Sequence, residues 1–186
     1  MCVADEVIVV GGGNSAGQAA VFLAQTARRV HMLVRSDGLA ESMSRYLIRR
    51  IAENRAIVLR TNTELTALEG DGHLERVSWR ERPSGRTETH AIRHVFVMAG
   101  AAPSARWLGG CVVSDSRGFI KTGLDLSRDK LQAAHWPLPR QPYYLETSRP
   151  GVFAVGDVRA GSIKRVASAV GEGSIAVAYV HQALHA

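Results

Sequence analysis

Three consecutive glycines, Gly11, Gly12 and Gly13, follow four β-branched residues and precede a run of small and apolar residues typical of a helix. Gly11, Gly13 and Ala16 fit the spacing G-x-G-x-x-A/G. The first glycine makes a tight turn, the second admits a pyrophosphate, and the small third residue lets helix and strand pack closely. The helix amino end offers N–H groups and partial positive charge to phosphates. We therefore predict a dinucleotide site over Gly11, Gly12, Gly13, Asn14, Ser15 and Ala16, the alternative being a structural turn without a ligand.

The end of the predicted second strand, residues 30–34, bears on which nicotinamide cofactor would bind. Arg35 and Ser36 stand where an NAD-binding unit carries the acidic residue that holds the ribose 2′-OH. A guanidinium and a hydroxyl suit a 2′-phosphate better than a free diol, which favours NADPH. Two alternatives stay open: Arg35 is only a solvated surface charge, or Asp37 holds the ribose in a shifted turn. Arg45, near the start of the next helix, is a further candidate for the 2′-phosphate.

The chain after the second strand alternates between helical and strand patterns. The spacing of apolar residues predicts a helix over 39–54, a core strand over 56–59, an antiparallel meander over 74–82 and 87–93, and a core strand over 95–98. Ser42 is the expected N-cap of that helix. The strand over 95–98 should return beside the first strand, which would bring Gly100, in the loop that follows, near the nucleotide.

The remaining segments are a loop over 130–144, a buried strand over 151–155 and a helix over 165–183. The strand ends in Gly156 and Asp157, which places a carboxylate where it can bind a ribityl or ribose hydroxyl. The first turn of the following helix can offer N–H groups to a cofactor oxygen.

Composition limits the partners that this chain could bind. The 186 residues carry a formal net charge of +6, but the basic residues are scattered and only 6% of the chain is aromatic, which argues against nucleic-acid binding. No apolar run reaches the length of a membrane span, and the first residues lack the pattern of a signal peptide, so we expect a cytoplasmic protein.

The cysteines and histidines give no metal-site or redox-motif spacing. Cys2 and Cys111 form neither a C-x-x-C pair nor a zinc knuckle, and we expect two free thiols with Cys111 buried. His90 and His94 are four apart in a strand-like context with no third ligand at a sensible spacing, so no metal site is predicted. No residue is identified as a catalytic acid, base or nucleophile.

Three motifs in order resemble the low-molecular-weight thioredoxin reductase family of flavoproteins. They are the glycine loop at 11–16, the hydrophobic strand with Gly-x-x-Pro at 95–103, and the segment 151–157 with its continuation through 164–173. The resemblance implies that the glycine loop holds the NADPH pyrophosphate and that Asp157, after Gly156, binds the flavin ribityl chain. It also implies that Lys164, Arg165 and Val166 lie along the isoalloxazine ring.

The resemblance implies an α/β fold: a Rossmann-like, three-layer NAD(P)H-binding domain over 1–102 and the carboxyl-terminal segment of a partial FAD-binding domain over 103–186. The expected reaction moves hydride from NADPH to FAD and on to a disulfide or another acceptor, with a protein disulfide as one candidate partner.

The family's basic motif after the second strand has two adjacent arginines and a third soon after, whereas here Ser36 and Ala40 stand in the second and third places. Two further departures are more serious. The chain has no C-x-x-C before the glycine loop, and the amino-terminal half of the FAD domain is absent from the sequence. We therefore expect a truncated reductase, and the alternative is an inactive NADPH-binding module or a fragment that needs a partner. The small apolar residues of the last helix would then form an exposed patch, which predicts self-association as a homodimer or larger assembly, or poor solubility.

Overall fold

A computed structural model describes residues 2–185, and these divide into two compact units after Gly100. The part of the first unit that the structure describes contains seven strands and two helices. In chain order they are β1 (Glu6–Val10), α1 (Asn14–Leu23), β2 (Arg29–Leu33), α2 (Arg45–Ala52), β3 (Ile57–Arg60), β4 (Thr63–Glu69), β5 (Arg76–Glu81), β6 (Thr87–His90) and β7 (His94–Val97).

Four parallel strands form one sheet in the order β3-β2-β1-β7. Val7 of β1 is in register with Val30 of β2 on one side and with His94 of β7 on the other. The prediction that the strand over 95–98 returns beside the first strand is therefore confirmed. The order reverses at β1, since the chain runs outward from β1 to β3 and then crosses back to β7.

The alternating residues of β1 are buried on both faces of this sheet. Val7 and Val9 pack into a core with the helices α1 and α2, whereas Ile8 packs on the opposite face with Val77 and Trp79 of β5. Helices, parallel sheet and antiparallel sheet thus form three layers, as in Rossmann-like domains. The α/β class predicted from the sequence is confirmed.

The antiparallel sheet has the order β4-β5-β6 and is the meander expected from the alternating pattern. It is inserted between β3 and β7. Val77 and Trp79 of β5 are buried on the face of the meander that packs on the parallel sheet. Glu64 on β4 pairs with Arg80 and Arg82 at the surface. The apolar side of the meander therefore covers the parallel sheet in the place that a crossover helix otherwise occupies.

The predicted start of α2 was wrong. The helix begins at Arg45 with Ser44 as its N-cap, not near residue 39 with a cap at Ser42. Leu39 and Met43 are buried in the core in a turn before the helix, so their apolar spacing reflects packing rather than helix. The Ser42 hydroxyl instead donates a hydrogen bond to the carbonyl oxygen of Gly12 at 2.9 Å.

The second unit contains two α-helices among its described residues, α3 (Arg128–Ala133) and α4 (Val166–Leu184). The helix predicted over 165–183 is confirmed, but the predicted loop over 130–144 begins inside α3. The buried strand predicted over 151–155 does not form, because its only ladder contact is an isolated bridge between Glu146 and Phe153. Apolar composition there reflects burial of Ala154 in a small core without a neighbouring strand.

No helix within residues 2–185 is both long enough and apolar enough to cross a membrane.

Candidate functional site

The loop after β1 turns at Gly11, whose φ of +139° is a backbone conformation that side chains disfavour. A Cβ atom at Gly11 would lie 2.5 Å from the carbonyl oxygen of Met98, just beyond β7. The first glycine of the motif is therefore required by the close approach of two chain segments at the carboxyl edge of the sheet. Gly12 is also confined, since a Cβ there would lie 3.0 Å from Val34.

Gly13 is the N-cap of α1, and unlike Gly11 it has an ordinary backbone conformation and open space around it. Its backbone is extended, and a methyl group added there would have the Ser42 carbonyl oxygen as its nearest neighbour, at 3.9 Å. The space over Gly13 is therefore open. No side chain caps the amino end of α1. The open backbone and the helix amino end together suit a pyrophosphate, which needs close approach and N–H donors.

Two hydrogen bonds join this loop to the segment that precedes α2. The Ser44 backbone N–H donates to Asn14 Oδ1 at 2.8 Å, and the Ser42 hydroxyl donates to the Gly12 carbonyl oxygen. Asn14 was predicted as a ligand residue, but in this structure its side-chain oxygen is used to hold α2. No local sequence signal marks these contacts, because they join residues 30 positions apart.

The glycine loop lies where the order of the parallel sheet reverses, at the carboxyl ends of β1 and β7. Ligands of open α/β sheets bind at such a reversal. Gly100, with a φ of +91° and open space where a Cβ would stand, follows β7 at this edge. Ala16 is buried at the base of the loop, and Ser15 lies exposed in the first turn of α1. The predicted residues of the glycine loop and Gly100 are thus carried by adjacent strands.

Arg35 and Ser36 follow β2 and are both exposed. The Ser36 hydroxyl donates to the Gly38 carbonyl oxygen at 2.8 Å, so its hydrogen is engaged within its own turn. Arg35 has no ion pair or side-chain hydrogen bond to any other residue that the structure describes. The guanidinium, rather than the hydroxyl, is therefore the group at this position that can donate to a 2′-phosphate.

In the second unit, Gly156 is held against α4. Its φ is +68°, a Cβ added there would lie 3.1 Å from the Ala169 Cβ, and its N–H donates to Glu172 Oε2 at 2.7 Å. The other Glu172 oxygen accepts from the buried Arg159 guanidinium at 2.5 Å. This hydrogen bond is the main reason that the pKa of the Glu172 carboxyl lies below its usual value. The sequence signal for this contact is Glu172 itself, the one carboxylate in the mostly small and apolar helix α4.

Asp157 follows in a single 3-10 turn, not at the end of a strand as predicted. Its carboxylate is exposed and makes no side-chain hydrogen bond or ion pair within residues 2–185. Lys164 is engaged, because its ammonium donates to Ser162 Oγ at 2.7 Å and lies 4.3 Å from the Phe119 ring centroid. Arg165 is the N-cap of α4, and Val166 opens the helix with 83% of its surface exposed.

These residues fit the two groups expected from the sequence. The uncovered backbone at Gly13 and the uncapped amino end of α1 fit a dinucleotide pyrophosphate. The unengaged Asp157 carboxylate can accept hydrogen bonds from sugar or ribityl hydroxyls. The exposed apolar surface at Val166 can pack against a flat aromatic ring.

Both cysteines are free thiols. Cys2 is buried and Cys111 is exposed, which is the reverse of the prediction for Cys111. Cys111 lies in an irregular segment, where no neighbouring strand covers it.

A family model described as pyridine nucleotide-disulphide oxidoreductase matches residues 3–173. The chain belongs to this family. Its members are FAD- and NADPH-dependent oxidoreductases, so the resemblance seen in the three sequence motifs is confirmed.

Curated relatives of this oxidoreductase-family chain include thioredoxin reductases. That of Mycolicibacterium smegmatis is 31% identical over 171 residues, which cover 92% of this chain and 49% of the relative. That of Chlamydia trachomatis is 30% identical over 171 residues, covering 92% of this chain and 48% of the relative. The chain thus spans about half the length of the curated relatives it matches.

Solved thioredoxin reductases have the same fold over nearly the whole chain. The enzyme from T. acidophilum is 25% identical with a TM-score of 0.74, covering 99% of this chain and 54% of that one. The enzyme from Lactococcus lactis has a TM-score of 0.75 at 24% identity, covering 97% of this chain and 53% of that one, and at this identity it shows the fold alone.

Proposed function

We propose that this chain contributes the NADPH site and the carboxyl-terminal part of the flavin site of a thioredoxin reductase-like oxidoreductase. The reaction would move hydride from NADPH to FAD and then electrons to a disulfide or another acceptor. The observation that carries this proposal is the open glycine cradle at Gly13, located where the parallel sheet order reverses.

Within the first unit, the chain's own groups would bind and orient the nucleotide. The backbone of the glycine loop and the amino end of α1 would hold the pyrophosphate, and Arg35 would pair with the 2′-phosphate. The hydrogen bonds from Ser42 and Ser44 hold this loop in place, so little conformational entropy would be lost when the ligand binds. NADPH supplies the hydride when it is bound.

Within the second unit, Asp157 would accept hydrogen bonds from the flavin ribityl chain, while Lys164, Arg165 and Val166 would lie along the ring. The pair between Arg159 and Glu172 would position Asp157 indirectly, because Glu172 holds the preceding Gly156 through its N–H. These roles follow from the family resemblance and from the free carboxylate of Asp157.

The acceptor and the assembly are also proposals. The relatives are named thioredoxin reductases, which supports a protein disulfide as acceptor, and the exposed apolar residues of α4 support a homodimer as assembly. The cytoplasm is the proposed compartment, because two unpaired cysteines suit a reducing environment.

A second candidate is a nucleotide-binding module that has no turnover without a partner. The exposed apolar residues of α4 favour it, since they offer a surface for a partner chain.

The NADPH site is tested by Gly13→Ala. A methyl group there would make only ordinary contacts, so the domain should fold, but it would occupy the space that the pyrophosphate needs. We expect NADPH affinity, measured by fluorescence titration, to fall by about tenfold or more, which corresponds to roughly 1.4 kcal/mol. Gly171→Ala is the control, because it adds the same methyl group to an exposed helical position in the second unit, with nothing within 4 Å and no positive φ. Equal affinity in Gly13→Ala and the parent chain would contradict the site.

The flavin site is tested by the visible spectrum of the chain after incubation with FAD and desalting. A retained band at about 450 nm, a property of the flavin itself, would support the proposed reductase function. Asp157→Ala should reduce the retained band, whereas Asp71→Ala, on the exposed turn between β4 and β5 of the first unit, should not. If the parent chain retains no flavin, the nucleotide-binding module becomes the better description.

A further inference from the structure

Arg45 stands in an electrostatically unfavourable place. It is the first residue of α2, where the partial positive charge of a helix disfavours a cation, and α2 has no acidic residue in its first turn. An arginine here gains nothing from the helix, in contrast to Arg49 and Arg50, which lie in the favourable last turn.

Arg49 and Arg50 have side-chain partners within α2, whereas Arg45 has none among the described residues. Arg49 donates to Glu53 at 2.7 Å, and Arg50 donates to the Tyr46 hydroxyl at 3.2 Å. Arg45 is exposed and has no ion pair or side-chain hydrogen bond with any residue between 2 and 185. Its charge is therefore available to a ligand.

The backbone of α2 is fixed to the glycine loop just before Arg45. Ser44, the N-cap, donates its N–H to Asn14, and Ser42 donates its hydroxyl to the Gly12 carbonyl oxygen. Arg35 begins the same connecting segment at the end of β2, and it is also exposed and unpaired within the described chain. Two unpaired guanidiniums thus flank one segment that is anchored to the dinucleotide loop.

We infer that Arg45 is a specificity residue for the 2′-phosphate of NADPH, acting as a second cation beside Arg35. This inference rests on the proposed NADPH site. Ser36 would contribute less as a donor, because its hydrogen is engaged by the Gly38 carbonyl oxygen. A guanidinium recognises a phosphate dianion through charge-assisted hydrogen bonds, which a free ribose diol cannot match.

The test compares dissociation constants for NADPH and NADH in the parent chain, Arg45→Ala, Arg45→Lys and the control Arg49→Ala. For Arg45→Ala we expect NADPH to bind about tenfold more weakly while NADH changes less than about twofold, because NADH lacks the phosphate. Arg45→Lys should recover part of the preference. Arg49→Ala should keep the parent ratio, because Arg49 is paired with Glu53 one turn further along.

Each outcome bears on a different proposal. An unchanged ratio of NADPH to NADH affinity in Arg45→Ala, or an equal loss of both affinities, would overturn the role of Arg45 and leave the NADPH site standing. If the parent chain prefers NADH or binds both equally, the 2′-phosphate site is overturned. If the folded parent chain binds neither nucleotide, the proposed function and this inference both fail.

Discussion

Glu146 is a buried carboxylate, and both of its oxygens accept hydrogen bonds. Its side chain has no exposed surface and pairs with Arg140 through two hydrogen bonds, of 2.6 and 3.1 Å. The backbone N–H groups of Tyr143 and Gly151 donate to the same carboxylate at 2.9 and 2.8 Å. One side chain thus ties together three parts of the segment that leads to Gly156.

We predict that Glu146→Gln destabilises the second unit. The amide replaces one acceptor oxygen by a donor and leaves Arg140 without its counter-ion, and breaking a buried pair costs on the order of 3 kcal/mol. Urea unfolding followed by circular dichroism would measure the loss. Glu53→Gln is the matched control, since it removes an exposed pair with Arg49 that is worth less than about 1 kcal/mol. Equal losses in the two variants would contradict the role assigned to Glu146.

The same residue predicts a dependence of stability on pH. Burial alone would raise the pKa of the Glu146 carboxyl, but hydrogen bonds from Arg140, Gly151 and Tyr143 lower it below its usual value. Its contribution is therefore complete above the unfolded pKa of about 4.3 and is lost as the pH falls through the folded pKa. Glu146→Gln should show a shallower loss of stability below about pH 4.3 than the parent chain.

At the level of elements, His31 joins the parallel sheet to the meander. Its Nε2 lies 3.2 Å from Glu6 on β1, and Arg60 on β3 donates to its Nδ1 at 3.4 Å. Its ring lies 5.3 Å from that of Trp79, which in turn stacks on His90 at 4.0 Å. Because Nδ1 accepts from Arg60, the ring is neutral and Nε2 donates to Glu6.

We predict that His31 makes the folded protein less stable in mild acid. Burial lowers the pKa of His31, the Glu6 hydrogen bond opposes that shift, and Arg60 adds to it, so the pKa lies below the usual value. The unfolded chain then binds more protons, and stability falls as the pH drops below about 6.5 toward the folded pKa. His31→Gln should flatten the slope of unfolding free energy against pH just below about pH 6.5.

The matched control for His31 is His73→Gln, which replaces a largely exposed histidine on the β4–β5 turn. It should retain the parent slope. An identical slope in His31→Gln and the parent chain would show that His31 does not couple folding to pH.

Elements with a strong local pattern could be predicted, whereas those set by distant contacts could not. The β-branched run of β1, the mostly apolar runs of β2 and β7 and the alternation in β5 gave correct strands. Ser42 was misassigned because its hydroxyl binds Gly12, and residues 151–155 were misassigned because no neighbouring strand pairs with them. In the candidate site, the glycine loop could be recognised from the spacing of its small residues. The hydrogen bond between Arg159 and Glu172 joins residues 13 apart, and its only trace in the sequence is the single carboxylate of α4.

At the scale of the whole molecule, α4 carries an exposed apolar stripe. Val166, Val170, Val177 and Leu184 recur at intervals of 4, 7 and 7 residues, which places them on one helix face, and each is more than half exposed. The exposed patch expected from the sequence is therefore present. Such a surface is costly in water and favours association.

We predict that the purified chain self-associates through this stripe. Sedimentation velocity should show larger species as the concentration rises, and Val177→Glu should shift the population toward monomer, because a charge in an apolar contact is unfavourable. Phe22→Glu is the control, since Phe22 is an exposed apolar residue on a different helix, α1. A single monomeric species of the parent chain at every concentration would contradict this prediction.

The position of β7 has a consequence for how the first unit is made. β1 is the second strand from one edge only because residues 94–97 pair with it, and the chain must first complete the whole meander. Contacts this distant in sequence form late and slow folding. During synthesis, β1 therefore waits with an unpaired edge of valine and isoleucine, a template for aggregation. Any piece of this unit that stops before His94 keeps that edge open permanently, so the shortest fragment worth expressing extends past Val97.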